Sequence, residues 1–149
     1  MSERRLVTEA VAARLHMAGG GRIDGELFLQ LVSPRHGGRQ RVGELLNDEE
    51  TFIPVRAGDK VVLVNLDQVV SVSVDRSEED EALLTLGEHH RARFVLTDGR
   101  ALSADVYVNL PESRGRVKDY LNQKKRFLTC LLKERVVYLN PLHLQRVED

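Results

Sequence analysis

The sequence predicts a mainly β protein with short helices, arranged as two tandem β-β-α-β-β-β repeats. Alternating apolar residues are the first indication, since Ile23, Leu27, Leu29 and Leu31 share one parity within residues 22–32. Glycine-containing turns between such runs are the second indication. The third is that the second half of the chain repeats the pattern of the first.

The repeat is visible as two ungapped alignments. Residues 14–31 align with residues 93–110 at a constant offset of 79, which places Phe28 on Tyr107. After one four-residue length difference in the loop that follows, the offset becomes 75. The pairs at this offset are residues 41–47 with 116–122, Phe52 with Phe127, residues 60–65 with 135–140, and Val72 with Val147.

Each repeat is expected to contain the same elements in the same order. The short helices place apolar residues three and four apart, and Asn47 and Asn122 are expected to end them in the left-handed conformation. In the first repeat we predict strand 10–17, turn 19–21, strand 22–32, helix 42–47 and strands 52–55, 61–64 and 69–74. In the second we predict strand 91–96, turn 97–99, strand 100–110, helix 117–122 and strands 127–132, 136–139 and 143–147.

The predicted domains are a first repeat at residues 6–74, an acidic linker at 75–88 and a second repeat at 89–149. Residues 75–81 hold one basic and five acidic side chains and no apolar one, which is typical of a solvated connector. A unit of about 60 residues buries little surface on its own. We therefore expect the repeats to pack on each other as a pseudo-twofold pair.

Composition excludes several classes of protein. The chain is 42% hydrophobic with a net charge of −1, which suits a folded core rather than disorder. No apolar stretch is long enough to span a bilayer, and residues 6–15 are interrupted by polar side chains, unlike a signal peptide. A single cysteine, Cys130, excludes an internal disulfide and indicates a reducing, cytoplasmic location.

No motif in the sequence indicates catalysis or a cofactor. The run Gly19-Gly20-Gly21 lacks the Lys-Ser/Thr of a phosphate-binding loop and is expected to be a hairpin turn. The five histidines lack zinc-ligand spacing. Cys130 lies in an apolar strand, which favours a buried structural thiol. We expect no enzyme activity, no metal and no cofactor.

The first repeat contains Leu46-Asn47 at the end of the helix, then Phe52-Ile53-Pro54, then Val64-Asn65 before the last strand. In these residues the repeat resembles a small bacterial domain of unknown function. The second repeat keeps Leu121-Asn122 but has Thr129 in place of Pro54. The five short strands are also loosely similar to Sm-like small barrels, from which the internal helix departs. The resemblance implies no particular activity.

Basic residues beside the two helices are the candidate partner- or anion-binding residues. They would lie at one end of each repeat, where they could hold phosphates. The alternative is a solvated basic face, which the pI of about 6.5 favours. The candidates are Arg35, Arg39, Arg41, Arg114, Arg116, Lys124, Lys125 and Arg126.

The function that the sequence favours is a non-enzymatic protein-interaction or scaffold (adaptor) module. Small β units offer strand edges to a partner, and residues 69–74 alternate without charge, so they are either such an edge or a core strand. The expected partner is another protein, and a homo-oligomer is possible. An anionic-ligand or nucleic-acid-binding regulator using the paired basic loops is the alternative.

Overall fold

The structure is a computed structural model that describes residues 7–33, 35–111 and 116–149. Strands dominate these residues, and the mainly β prediction is confirmed. The strands are β1 (Thr8–Met17), β2 (Arg22–Gln30), β3 (Phe52–Ala57), β4 (Lys60–Asn65), β5 (Val69–Asp75), β6 (Glu88–Leu96), β7 (Ala101–Val108), β8 (Leu128–Leu131), β9 (Arg135–Leu139) and β10 (Leu144–Glu148). The α-helices are α1 (Val42–Leu46), α2 (Glu81–Leu84) and α3 (Val117–Leu121).

The glycine run forms the tight turn between β1 and β2. Gly19 and Gly20 have φ angles of +87° and +99°, a region that side chains larger than hydrogen rarely adopt. Gly99 has φ +90° in the corresponding turn between β6 and β7. The sequence prediction of hairpin turns at both places agrees with this geometry.

All ten strands belong to one antiparallel sheet in the order β10-β6-β7-β8-β9-β5-β1-β2-β3-β4. One strand pair, β5 with β9, joins the two halves. A twofold axis would require β4 to pair with β10 as well, and no such pairing occurs among the described residues. The contact between the halves is therefore head-to-tail and replaces the expected pseudo-twofold arrangement.

Two hydrophobic cores lie along this sheet, and the first core is completed by the second half of the chain. Leu15, Leu27 and Val72 are central residues of the first core. Phe94 and Val106 are central to the second core. The residues that the second half contributes to the first core are Phe127, Leu131, Val136 and Tyr138.

Strand β9 supplies side chains to both cores. Successive residues of a strand point to opposite faces of the sheet. Val136 and Tyr138 lie in the first core, and Val137 and Leu139 lie in the second. The junction between the halves is thus apolar on both faces of one strand.

A buried asparagine reinforces the junction at the end of β9. Asn140 is 1% exposed, and its backbone N–H donates to the carbonyl of Val70 at 3.0 Å. Its side-chain amide donates to the carbonyls of Leu66 at 3.2 Å and Val69 at 3.0 Å. These bonds satisfy a buried polar group and hold the second half against the first.

The two asparagines that follow α1 and α3 differ from the sequence expectation. Asn47 has φ −101° and Asn122 has φ −90°, so neither is left-handed. Each side-chain amide instead donates back into its own helix, to the carbonyl of Gly43 at 2.9 Å and of Lys118 at 2.7 Å. Each of these carbonyls also accepts the backbone N–H of the same asparagine, at 3.0 Å for Gly43 and 3.2 Å for Lys118, so the side chain adds a second hydrogen bond at the helix end.

The expected acidic linker contains ordered structure. A 3-10 turn, Arg76–Glu78, precedes α2, which the sequence analysis did not predict. Arg76 forms an ion pair with Glu81 and donates to the carbonyl of Leu132 at 2.7 Å. The segment therefore contacts the second half, while the domain boundaries at residues 74, 75, 88 and 89 stay a prediction.

Two aligned phenylalanines give a test of how the first core is built. Phe127 is fully buried in that core, whereas Phe52 is 54% exposed. We expect Phe127→Ala to lower the free energy of unfolding by about 3 to 5 kcal/mol, because it leaves a cavity. Phe52→Ala should cost less than about 1 kcal/mol in dilute protein.

Denaturant unfolding with two spectroscopic probes measures both changes. If Phe127→Ala fails to fold, the smaller change Phe127→Leu preserves the comparison. Equal losses for the two alanine variants would contradict the assignment of Phe127 to the core.

Candidate functional site

A groove of about 340 Å³ lies where α1, α2 and the second half of the chain meet. Three of the basic residues singled out from the sequence line it. Its lining residues are Arg35, Arg41, Gly43, Glu44, Asn47, Glu79, Asp80, Leu83, Leu84, Lys125, Thr129 and Tyr138.

The start of α1 positions Arg41 and Glu44 in this groove. Glu44 accepts hydrogen bonds from the Arg41 backbone N–H at 3.1 Å and from the Ser33 hydroxyl at 3.0 Å. His36 lies 2.5 Å from the same carboxylate. Burial tends to raise the pKa of Glu44, but these hydrogen bonds outweigh burial and lower it. Glu44 therefore has a structural role at the helix start.

Glu79 and Tyr138 form the most buried polar contact of the groove. The Tyr138 hydroxyl lies 2.5 Å from Glu79 Oε1, and the Tyr138 ring lies in the first core. Burial raises the pKa of the Glu79 carboxyl, although the Tyr138 hydrogen bond and the charges of Arg39 and Arg41 oppose the rise. Burial and the nearby Glu79 charge also raise the pKa of Tyr138.

Three of the predicted basic residues share the groove with an equal number of acidic residues. Arg35, Arg41 and Lys125 face Glu44, Glu79 and Asp80. Arg35 is also 3.7 Å from Asp48. The local charges balance, so the field that would attract an anion is weak.

Other predicted basic residues are engaged elsewhere. Arg39 lies 3.4 Å from Glu9 and 3.6 Å from Glu78. Arg116 pairs with Asp119 at 3.1 Å at the start of α3. Both arginines are therefore engaged in ion pairs with acidic residues of their own chain.

Two further candidates, Lys124 and Arg126, do not line the groove. Arg126 donates to the backbone carbonyls of Glu49 and Glu50, which ties the second half to the loop after α1. Lys124 is exposed to solvent. Arg114 lies outside the described residues.

A second candidate surface is the outer edge of β4, which the sequence analysis missed. Val61 and Leu63 are 56% and 70% exposed, and Phe52 at the start of β3 is also largely exposed. Strand β4 pairs only with β3, so its other side is a free edge among the described residues. An apolar edge strand favours addition of a partner strand.

The strand that the sequence analysis considered as an edge lies inside the sheet. Strand β5 pairs with β1 on one side and with β9 on the other. Val69, Val72 and Val74 are fully buried. The alternative that this segment is a core strand is therefore correct.

The other chemically interesting residues are in structural settings. Cys130 is fully buried, and burial raises the pKa of its thiol, which disfavours the reactive thiolate. His89 lies 2.8 Å from Asp105 on the surface of the second half. Among the described residues, no three His, Cys, Asp or Glu side chains gather closely enough to hold a metal ion.

Comparison with known proteins adds no relative. No family model, no curated protein and no solved structure matches the chain. Within the part that the structure describes, no helix has the length and apolar character to cross a membrane.

The Glu79 contact predicts a pH dependence of stability. Because its folded-state pKa lies above the ordinary value of 4.5, the folded chain holds this proton more tightly than the unfolded chain. The contribution of Glu79 to stability is therefore highest at acidic pH and decreases as pH rises through the folded-state pKa. We expect Glu79→Gln to stabilise the protein more at pH 7 than at pH 4.

Denaturant unfolding between pH 4 and pH 8 measures this difference. Glu134→Gln is the matched control, since Glu134 is exposed, lies outside the groove and its replacement also removes one negative charge. Parallel profiles for wild type and Glu79→Gln would contradict a buried carboxyl at position 79.

Proposed function

We propose that the chain is a non-enzymatic protein-interaction module made of two copies of one β-β-α-β-β-β unit. Strand order supports the duplication, because β5-β1-β2-β3-β4 in the first half has its counterpart in β10-β6-β7-β8-β9. Strand register also supports the duplication. Ile53 pairs with Val64, and the residues 75 positions later, Leu128 and Leu139, pair in the same way.

The polar groups of the groove favour a structural role over catalysis. Glu44 accepts a hydrogen bond from the Arg41 backbone N–H at the start of α1, and Glu79 accepts one from the Tyr138 hydroxyl. Tyr138 is in turn part of the first core. If Glu79 and Tyr138 were catalytic, a side chain that transfers protons would also have to be packed in the first core.

The observation that carries the proposal is the exposed apolar edge of β4. Val61 and Leu63 project from a strand whose backbone pairs on one side only within residues 7–33, 35–111 and 116–149. An extended strand of another protein, with apolar side chains of its own, would pair with this backbone and cover both residues. The interaction module therefore has a defined surface, which is the β4 edge.

The alternative function, binding of an anionic ligand or nucleic acid, has less support. Its best location is the groove, where three basic and three acidic residues balance. Such binding would depend steeply on salt and would weaken on substitution of Arg41 or Lys125.

Substitution on β4 tests the proposal. We expect Leu63→Lys to abolish co-elution of a partner protein with the full chain purified from its own host. A charged residue on an edge strand blocks addition of another strand. Val32→Lys is the matched control, because Val32 is 67% exposed and lies outside the sheet.

Light scattering, mass spectrometry of the eluted complex and reconstitution from purified components give the readout. A partner that binds Leu63→Lys as well as it binds wild type would overturn the β4 edge as the binding surface. Co-purified material that absorbs at 260 nm and is lost with salt would favour the alternative.

A further inference from the structure

The sheet has two ends, and the residues at these ends match an interface that already exists inside the chain. Strand β4 forms one end and β10 forms the other. We propose that β4 of one chain pairs antiparallel with β10 of a second copy of this chain, in the register by which β9 pairs with β5. This inference rests on the proposed function and names the partner of the same β4 edge.

The internal interface is the template for this contact. Ser71 pairs with Leu139 and Val72 pairs with Tyr138. Val136 and Tyr138, which project from β9, are buried in the core of the neighbouring half. Phe127, just before β8, is buried in the same core.

Strand β4 and its neighbour carry the corresponding side chains without a neighbour to cover them. At the offset of 75, Phe52, Val61 and Leu63 correspond to Phe127, Val136 and Tyr138. The three corresponding residues in the second half are 0% to 2% exposed, whereas Phe52, Val61 and Leu63 are 54% to 70% exposed. The aligned positions are thus apolar in both halves, but only the residues of the second half are buried in a core.

Strand β10 is the counterpart of β5 and can receive β4. The residue 75 positions after Val72 is Val147, which pairs with Phe94 as Val72 pairs with Leu15. Strand β5 has neighbours on both sides, while β10 pairs with β6 alone in the described sheet. The template register places Leu63 opposite Val147.

Asn122, at the end of α3 on the β10 side of the proposed contact, is arranged like Asn47 at the end of α1. The Asn47 Oδ1 accepts a hydrogen bond from the Phe127 backbone N–H at 2.8 Å, while its amide donates to α1. Asn122 makes the same amide bond within α3. In the proposed contact, Asn122 Oδ1 accepts from the Phe52 backbone N–H of the second copy.

One polar bond of the template becomes an ion pair in the proposed contact. The Arg135 guanidinium donates to the Ser73 hydroxyl at 2.9 Å across the internal interface. The residues at the corresponding positions are Lys60 and Glu148, which carry opposite charges. Charge complementarity therefore favours the same register.

The contact uses different strands from the two copies, so it is heterologous. A second chain bound through its β10 still presents its own β4, and further copies add until the assembly closes or extends. Pairing of β4 with β4, or of β4 with β10 of the same chain, would give different products.

Cysteine cross-linking of two separate variants distinguishes these products. Leu63→Cys and Val147→Cys are purified apart, mixed, oxidised and analysed without reductant. Opposed residues of antiparallel strands lie about 4.5 to 5.5 Å apart between Cα atoms, within disulfide range. We expect a disulfide-linked dimer in the mixture and little in either variant alone. Mixing Leu63→Cys with Val32→Cys is the control.

Charge reversal provides an independent measurement by sedimentation over a series of concentrations. We expect the wild-type chain to associate, and Lys60→Glu to weaken association about tenfold because like charges then face each other. Glu148→Lys in the same chain as Lys60→Glu should restore part of the association, because Glu148 also pairs with Arg93 and Arg146 within its own chain.

Several results would overturn the inference. They are a chain that stays monomeric at all concentrations, dimers of Leu63→Cys with itself as abundant as mixed dimers, and a disulfide that closes within one chain carrying both cysteines. If self-association fails while Leu63→Lys still loses a different partner protein, the proposed function stands and only the identity of the partner is wrong.

Discussion

Five residue pairs between β5 and β9, from Ser71 with Leu139 to Asp75 with Arg135, join two small sheets into one ten-stranded sheet. The same pairing inserts Val136 and Tyr138 into the core of the first half. A domain of about 60 residues buries little apolar surface alone, so side chains borrowed from a neighbour add a large share of its core. The stability of the first half therefore depends on the second.

The groove beside α1 is a consequence of this pairing. Tyr138 arrives there on β9, and Glu79 meets it from the segment between the halves. That segment is tied to the second half through Arg76, which bonds to the carbonyl of Leu132. The buried carboxyl, the tyrosine and the balanced charges around them follow from how two sheets are joined, and this favours a structural reading of the groove.

Local patterns explain why much of the fold was predictable. Strand alternation and glycine turns act over a few residues, so Gly19, Gly20 and Gly99 indicated both hairpins. The short helix α2 was missed because it is a single turn of four residues, too short to show a helical period in the sequence. The Asp80 carboxylate caps its start and accepts from the Ala82 backbone N–H at 3.1 Å.

The candidate site was predictable only in part, because its members come from distant parts of the chain. Arg35, Arg41 and Lys125 were singled out from the sequence, but their acidic partners were not.

The sequence by itself determined the ten strands, the helices α1 and α3, and which residues of the two halves align, because period and turn chemistry are local properties. It could not determine which strand lies at an edge. Val61 and Val136 are the same residue at aligned positions, yet one is 56% exposed and the other is fully buried. Only the tertiary structure decided this, because the burial of a strand residue depends on whether another part of the chain packs against that strand.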